Sequence, residues 1–309
     1  MGTTWHVTFV PGENAPGPEA VQAGIEALLE QVNLSMSTYR EDSEISRFNR
    51  AEPGTWVEVS ADFIEVLSGA LAVGSASDGA YDVTVGPLVD LWGFGPGKAV
   101  TEPPPEAAIQ SLRQRLGQDR LRVDIDGRRV MKLGDLALDF SSIAKGYAVD
   151  LIADWMVQNN VDRFLVEIGG EMRVAGMSAR GDPWRIAIEQ PESAGRSVAR
   201  AISLTDTAVA TSGDYRNFFE KDGRRYSHTI DPRTGYPVAH ELVSVTVVHP
   251  SAMLADAWAT ALTVLGPEAG MAVARAGGLA VYCITREGRG FRSSHTPAFE
   301  PYLAAAPGE

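Results

Sequence analysis

Hydrophobic periodicity along this chain switches between helical and strand registers without settling into a βαβ rhythm, and that irregularity limits the folds open to it. Val21, Ile25, Leu28, Leu29 and Val32 recur at helical spacing within residues 19–32, as do Ile64, Leu67 and Leu71 within 61–73. A third helix is predicted over 106–116, after a Gly- and Pro-rich stretch at 93–105 that reads as a loop. Short alternating runs then take over at 121–125, 129–133 and 136–140, the first two joined through Asp126-Gly127 as a hairpin. Helical spacing returns with Ile143, Tyr147, Leu151 and Trp155, and strands are predicted at 164–168, 184–189, 198–203 and 243–248. The last of these leads through His249-Pro250-Ser251 into a helix over 252–265, with Ser251 as its N-cap. The opening residues 5–10 alternate as a strand, whereas the polar segment 37–49 reads as a solvated connector. The expectation is an α+β fold rather than a doubly wound parallel sheet. Without an internal repeat or a long linker, residues 1–309 are expected to form a single compact, two-lobed unit.

Charge and cysteine content remove several functions. Against 40 acidic side chains there are 27 basic ones, a formal net charge of −13, so nucleic acid is a poor partner. The single Cys283 sits in an apolar run that reads as a buried strand, and one cysteine excludes an intrachain disulfide or a multi-cysteine metal centre. No run of about 18 apolar residues is present to span a membrane. The N-terminus has no basic region followed by an apolar stretch, so a mature chain trimmed of its targeting segment is expected, with a cytoplasmic protein as the alternative. Walker, Rossmann and nucleophile-elbow motifs are missing, and His240-Glu241 has no second His to complete a zincin pair.

Several segments carry chemistry. Asp256 and Thr260 lie four residues apart on a predicted helix, so a carboxylate and a hydroxyl share one face and could serve a hard cation such as Mg²⁺. His228 immediately precedes the turn Asp231-Pro232-Arg233-Thr234-Gly235, and imidazole is the side chain best suited to take up a proton near neutral pH. The segment from Gly79 to Gly95 mixes small residues, glycines and aromatics, as a close approach to a flat ligand would require. Ser141 and Ser142 stand at a strand-to-helix junction, where they could either cap the helix or help its N-terminus receive a phosphate.

Seven blocks, in order along the chain, together resemble the ApbE family of flavin transferases of the bacterial envelope. They are Ser37-Thr38-Tyr39 with Asp42 to Asn49; Gly79 to Val89; Ile143 to Asp150; Gly169-Gly170-Glu171; Thr211 to Tyr215; His228 to Gly235; and Ala255 to Leu262. The resemblance implies a fold like the T-fold, with FAD between lobes and Mg²⁺ beside its pyrophosphate. It also implies transfer of FMN from FAD to a Thr or Ser hydroxyl of a redox protein or membrane redox subunit, with release of AMP. Carried over position by position, it makes Tyr39, Ala80, Tyr81, Asp82, Ser141, Tyr147 and Ile230 FAD contacts, with Met1 or Gly2 a further one. It assigns the metal to Asp256 and Thr260 with main-chain oxygens of Ala144 and Ala259, and the general base to His228; Lys145 and Arg233 become candidates for neutralising phosphate. A periplasmic location is expected from the same source, as a free enzyme or as a lipoprotein in the full-length form. FAD hydrolysis to FMN and AMP, or flavin binding without chemistry, remain the alternatives. Where many members carry a Gly pair before Ile-Ala-Lys-Gly, this chain has Ser141-Ser142.

Overall fold

Alternation at the start of the chain produces strand β1 (Trp5–Phe9), and the apolar stripe after it produces α1 (Pro18–Met36), with proline in the first turn where no N–H is needed. Next come α2 (Glu44–Arg50), β2 (Val57–Glu58), α3 (Ala61–Ala76), α4 (Gly86–Leu91) and α5 (Glu106–Arg113). The hairpin β3 (Leu121–Asp124) and β4 (Arg129–Lys132) precedes α6 (Ala144–Gln158). Five strands follow: β5 (Phe164–Ile168), β6 (Glu171–Ala175), β7 (Trp184–Gln190), β8 (Ser197–Leu204) and β9 (Thr207–Gly213). Two hairpins, β10 (Phe218–Lys221) with β11 (Arg224–Ser227) and β12 (Ile230–Asp231) with β13 (Tyr236–Pro237), lead to β14 (Leu242–His249). Helix α7 (Ala252–Ala276), β15 (Ala280–Glu287) and β16 (Gly290–His295) complete the regular structure. This computed structural model describes residues 2–95, 100, 102–190, 197–213, 218–288 and 290–303.

Seven strands form one sheet in the order β1-β5-β6-β9-β14-β15-β16, and every neighbouring pair is antiparallel. Helices α6 and α7 lie against one face; the β7–β8 hairpin covers the other through Ile186, Ile188, Ile202 and Leu204. Covered on both sides, β14 is buried at seven consecutive positions and reads as an unbroken apolar run rather than an alternating one. A smaller aromatic core stands apart, where Leu88, Trp92, Ile109 and Ile230 gather beneath the two short hairpins. Trp92 anchors it by donating its indole N–H to the Gly235 carbonyl at 2.9 Å. Among the described residues no helix is long and apolar enough to cross a membrane.

The α+β expectation holds, and α7 breaks at Gly266 and Pro267, directly after the predicted helix end at 265. Two local expectations do not hold. Within the supposed connector, residues 44–50 form α2: Ser43 caps it and Ile45 and Phe48, three apart, bury one face. Residues 136–140 make only a single bridge, Val85 with Ala137, because side chains take over the backbone partners a strand would supply. Asn49 accepts from Leu138 N–H and donates to its carbonyl, while Lys132 donates to the Leu136 carbonyl. Cys283 is buried in β15 as expected, and burial pushes its thiol up to about 12, so it behaves as a small apolar residue.

Helices α6 and α7 cross at Gly146, where a methyl group would lie 2.2 Å from the Ala252 carbonyl oxygen. Asp150, one turn further along α6, receives Ser251 Oγ, Ala252 N–H and Met253 N–H at 2.7, 2.9 and 3.0 Å, fixing the start of α7 against it. Gly146→Ala is therefore expected to force the helices apart and cost about 1–3 kcal/mol, the usual penalty for overpacking. Chemical denaturation would measure it; a stability equal to the parent's would show that the crossing can relax.

Candidate active site

The tight crossing sets the residue before Gly146 over the face of α7 that carries Asp256. Lys145 Nζ lies 3.5 Å from Asp256 Oδ2 and 3.2 Å from Glu171 Oε1, and the Gly146 N–H donates to Asp256 Oδ2 at 3.1 Å. Both carboxylates are buried, with exposures of 3% for Asp256 and 4% for Glu171. Glu171 owes its place to the two-residue turn between β5 and β6, where Gly169 and Gly170 have φ of 62° and 108°, values that suit glycine. Burial lifts the Glu171 carboxyl well above the usual carboxylate range, against the lowering pull of Lys145, and its Oε2 has no hydrogen-bond partner. Desolvation opposes the charge on Lys145, but Asp256 and Glu171 outweigh it and hold its pKa above the ordinary lysine value. The result is a half-buried cation between two buried carboxylates, beside the N-terminus of α6.

One turn along α7, Thr260 Oγ1 lies 3.3 Å from Ser212 Oγ at the end of β9. The chain leaves the sheet at Gly213 and returns at Leu242, on neighbouring strands where Ser244 is paired with Gly213. The excursion that carries His228 is thus rooted at the end of the sheet where Ser212 meets Thr260. His228 stands edge-on to Phe94, with ring centroids 6.3 Å apart, in a stack that continues through Phe219, Tyr226 and Trp92. Ile230 is buried in the core below this stack.

A second arm joins the cluster through the α6 N-terminus. Tyr81 OH pairs with Ser142 Oγ at 3.0 Å, and burial holds the phenol above its ordinary pKa, with Ser142 pulling the other way. Neither serine caps α6: Ser142 serves Tyr81, and exposed Ser141 donates its N–H to Asp139 at 2.7 Å. Ala80 is buried beside Tyr81, while Asp82 accepts from the Thr84 N–H and hydroxyl and is raised by burial. Tyr39 is 74% exposed at the tip of the loop between α1 and α2.

Other predicted positions stand differently. Tyr147 is buried in the main core, where desolvation and then Asp62, Glu65 and Asp154 raise its phenol. The Ala259 carbonyl accepts the Thr263 hydroxyl at 2.8 Å inside α7 and is already engaged, whereas Ala144 begins α6 next to Lys145. Arg233 folds both its Nε and Nη2 onto Asp231 at 2.9 Å on an exposed turn, whereas Lys145 sits at the cluster. Met1, Asp214 and Tyr215 lie outside the described residues. Glu171 and Ser212 fall within two of the seven blocks, yet the resemblance gives them no role; the Gly-Gly turn before a buried acid is the available signal for Glu171. A cavity of about 560 Å³ walled by α1, α2 and the start of α3 touches none of these groups.

The fold and site define an α+β protein with a half-buried lysine between two buried carboxylates and a hydroxyl pair one helical turn away, and with an aromatic-backed histidine on the excursion between β9 and β14. The pattern of the ApbE family matches residues 1–283. A FAD:protein FMN transferase of Vibrio cholerae is 44% identical over 305 residues, covering 98% of this chain and 91% of that protein. One from Haemophilus influenzae is 43% identical over 306 residues, covering 97% and 88%. The structure of the flavin transferase ApbE from Vibrio cholerae superposes with a TM-score of 0.91 at 43% identity, covering 98% of this chain and 96% of that one. The apo form of the Pseudomonas stutzeri flavinyl transferase ApbE gives 0.90 at 42% identity, covering 99% and 95%. This chain belongs to the ApbE family.

Proposed function

We propose that this protein transfers FMN from FAD to a Thr or Ser hydroxyl of an acceptor protein and releases AMP. The observation that carries the reading is likeness to FAD:protein FMN transferases at 44% identity over nearly the whole chain. The acceptor oxygen forms a new bond to the FMN phosphorus, the bond from that phosphorus to the AMP oxygen breaks, and the hydroxyl proton passes to a base. His228 takes that proton. Lys145 offers its charge to the diphosphate, and the uncapped start of α6 adds its positive end. Tyr81 and Ser142 shape the wall beside it, with Ala80, Asp82, Ser141 and Ile230 close in sequence to these groups, and Tyr39 free to fold over a ring from the surface.

The donors at α7 fit a hard divalent cation, being oxygens of a carboxylate and two hydroxyls, with an orphaned buried carboxylate oxygen close by. Asp256 and Thr260 would hold Mg²⁺ with the Ala144 main-chain oxygen, and Ser212 stands within reach of the same place. Bound there, the ion supplies neutralisation of the charge that builds on the phosphoryl oxygens. The periplasmic setting belongs to the same proposal.

The test is incubation with FAD, Mg²⁺ and an acceptor bearing an Asp-x-Thr-Gly-Ala-Thr-like site, followed by mass spectrometry and chromatography. An FMN adduct on the Thr with one AMP per adduct is expected. FMN and AMP accumulating without any adduct would replace transfer by hydrolysis, and intact FAD would leave only flavin binding.

A further inference from the structure

Strand β1 closes the seven-stranded sheet on one side, and its only sheet partner among the described residues is β5. Two hydrogen bonds fix which of its backbone groups are used. The Gly169 N–H donates to the Thr4 carbonyl at 3.2 Å, and the Val10 N–H to the Arg163 carbonyl at 2.9 Å. In an antiparallel pair the bonded positions alternate, so Thr4, His6, Thr8 and Val10 turn their backbone toward β5. Trp5, Val7 and Phe9 therefore turn N–H and C=O away from the sheet, three donor–acceptor sets in a row with no strand partner among the described residues.

Natural edges are usually blunted by proline, lysine, a bulge or a covering element. The other edge, β16, starts at a glycine and carries an arginine. By contrast β1 reads Trp-His-Val-Thr-Phe, with strong strand formers, a regular register and every residue at least partly exposed. Its start also adjoins the candidate active site: Thr3 lies about 3 Å from the position a Gly169 side chain would take, and Lys145 Cδ lies 3.5 Å from that same point. At its far end a groove of about 300 Å³ opens between Thr8 and Phe9 on one side and the segment from Ser178 to Arg185 on the other. Arg180 and Arg185 are exposed there, and the one carboxylate, Asp182, is held by the Ser178 hydroxyl.

We infer that β1 is the docking edge for the acceptor protein, which adds an extended, acidic segment to the sheet as an eighth strand. This rests on the transferase reading. Pairing through main-chain atoms supplies affinity with little demand on side-chain sequence. A segment held against Trp5, Val7 and Phe9 continues past Thr3 toward Lys145 and Asp256, which delivers its hydroxyl to the diphosphate. Its acidic residues meet Arg180 and Arg185 at the other end.

Val7→Pro tests this, because the Val7 N–H makes no bond within the sheet, so proline deletes an outward donor and spares the β1–β5 ladder. With the FAD- and Mg²⁺-loaded full chain and an intact acceptor protein, KM for the acceptor is expected to rise about tenfold, with FAD affinity unchanged. In a second measurement, hydrogen exchange at the Trp5, Val7 and Phe9 amides of the unsubstituted enzyme should slow on adding an acceptor whose target Thr is replaced by Val. An unchanged KM together with unprotected amides would overturn the edge, as would loss of self-association in Val7→Pro with acceptor KM intact, which would assign β1 to a second copy. If the unsubstituted enzyme forms no adduct at all, the transferase reading itself fails, and the docking edge with it.

Discussion

Asp256→Asn is expected to lower flavin transfer by about three orders of magnitude while FAD still binds. The substitution is close to isosteric and keeps an oxygen to accept the Gly146 N–H, so the α6–α7 crossing survives. What disappears is a negative charge in a buried place, 3.5 Å from Lys145 and one helical turn from Thr260. A hard cation bound to oxygens loses its only proposed anionic ligand, and Lys145 is left leaning on Glu171. Electrostatic stabilisation by a metal at a phosphoryl centre is worth several kcal/mol, and each 1.4 kcal/mol is about tenfold in rate, which sets the expected size. Thr260→Val removes one neutral donor and should cost far less. Calorimetric titration with Mg²⁺ gives a readout independent of turnover: the heat of binding should vanish in Asp256→Asn and weaken in Thr260→Val. Transfer within tenfold of the parent enzyme, or unchanged Mg²⁺ binding, would remove Asp256 from the metal site.

The parts of the candidate site that are local in sequence were legible from it: Asp256 and Thr260 share a helix face by spacing, and the family resemblance singled them out together with Lys145, one residue from the glycine that permits the crossing. Glu171 and Ser212 were harder to find because their roles depend on contacts between residues distant in sequence. Glu171 reaches Lys145 only once β6 is placed beside α6, and Ser212 reaches Thr260 only once β9 pairs with β14. Arg233 and Ala259 show what residue type and position leave out: Arg233 bonds Asp231, and the Ala259 carbonyl accepts the Thr263 hydroxyl. The same physics explains the misread backbone. Periodicity reports which face is buried but not what satisfies the main chain, so Asn49 and Lys132 could keep 136–140 out of a sheet while its side chains stayed buried. Conversely, the seven residues of α2 carry too few apolar positions to reveal a helix until Ser43 is seen to cap it.

His228→Ala is expected to slow transfer by about 10²–10⁴-fold, the usual worth of a positioned general base, with FAD affinity little changed. Phosphoryl transfer places the effect in the lower half of that range. Its transition state is loose, the attacking oxygen carries little new bond, and much of its proton remains on it until late. A base there acts mainly by holding the hydroxyl in line and taking the proton as the new bond completes. The proposed role needs a held ring, and the His228 ring stands edge-on against Phe94 in a stack of aromatic side chains that limits its motion. Because the stack is apolar, loss of the imidazole should leave the lobe folded, and added free imidazole should recover part of the rate in His228→Ala. Phe94→Leu removes the ring that steadies His228 and should lower kcat without altering FAD affinity. If His228→Ala transfers at the parent rate, or if imidazole restores nothing while FAD affinity is intact, the proton goes elsewhere and the histidine belongs to the lobe's architecture alone.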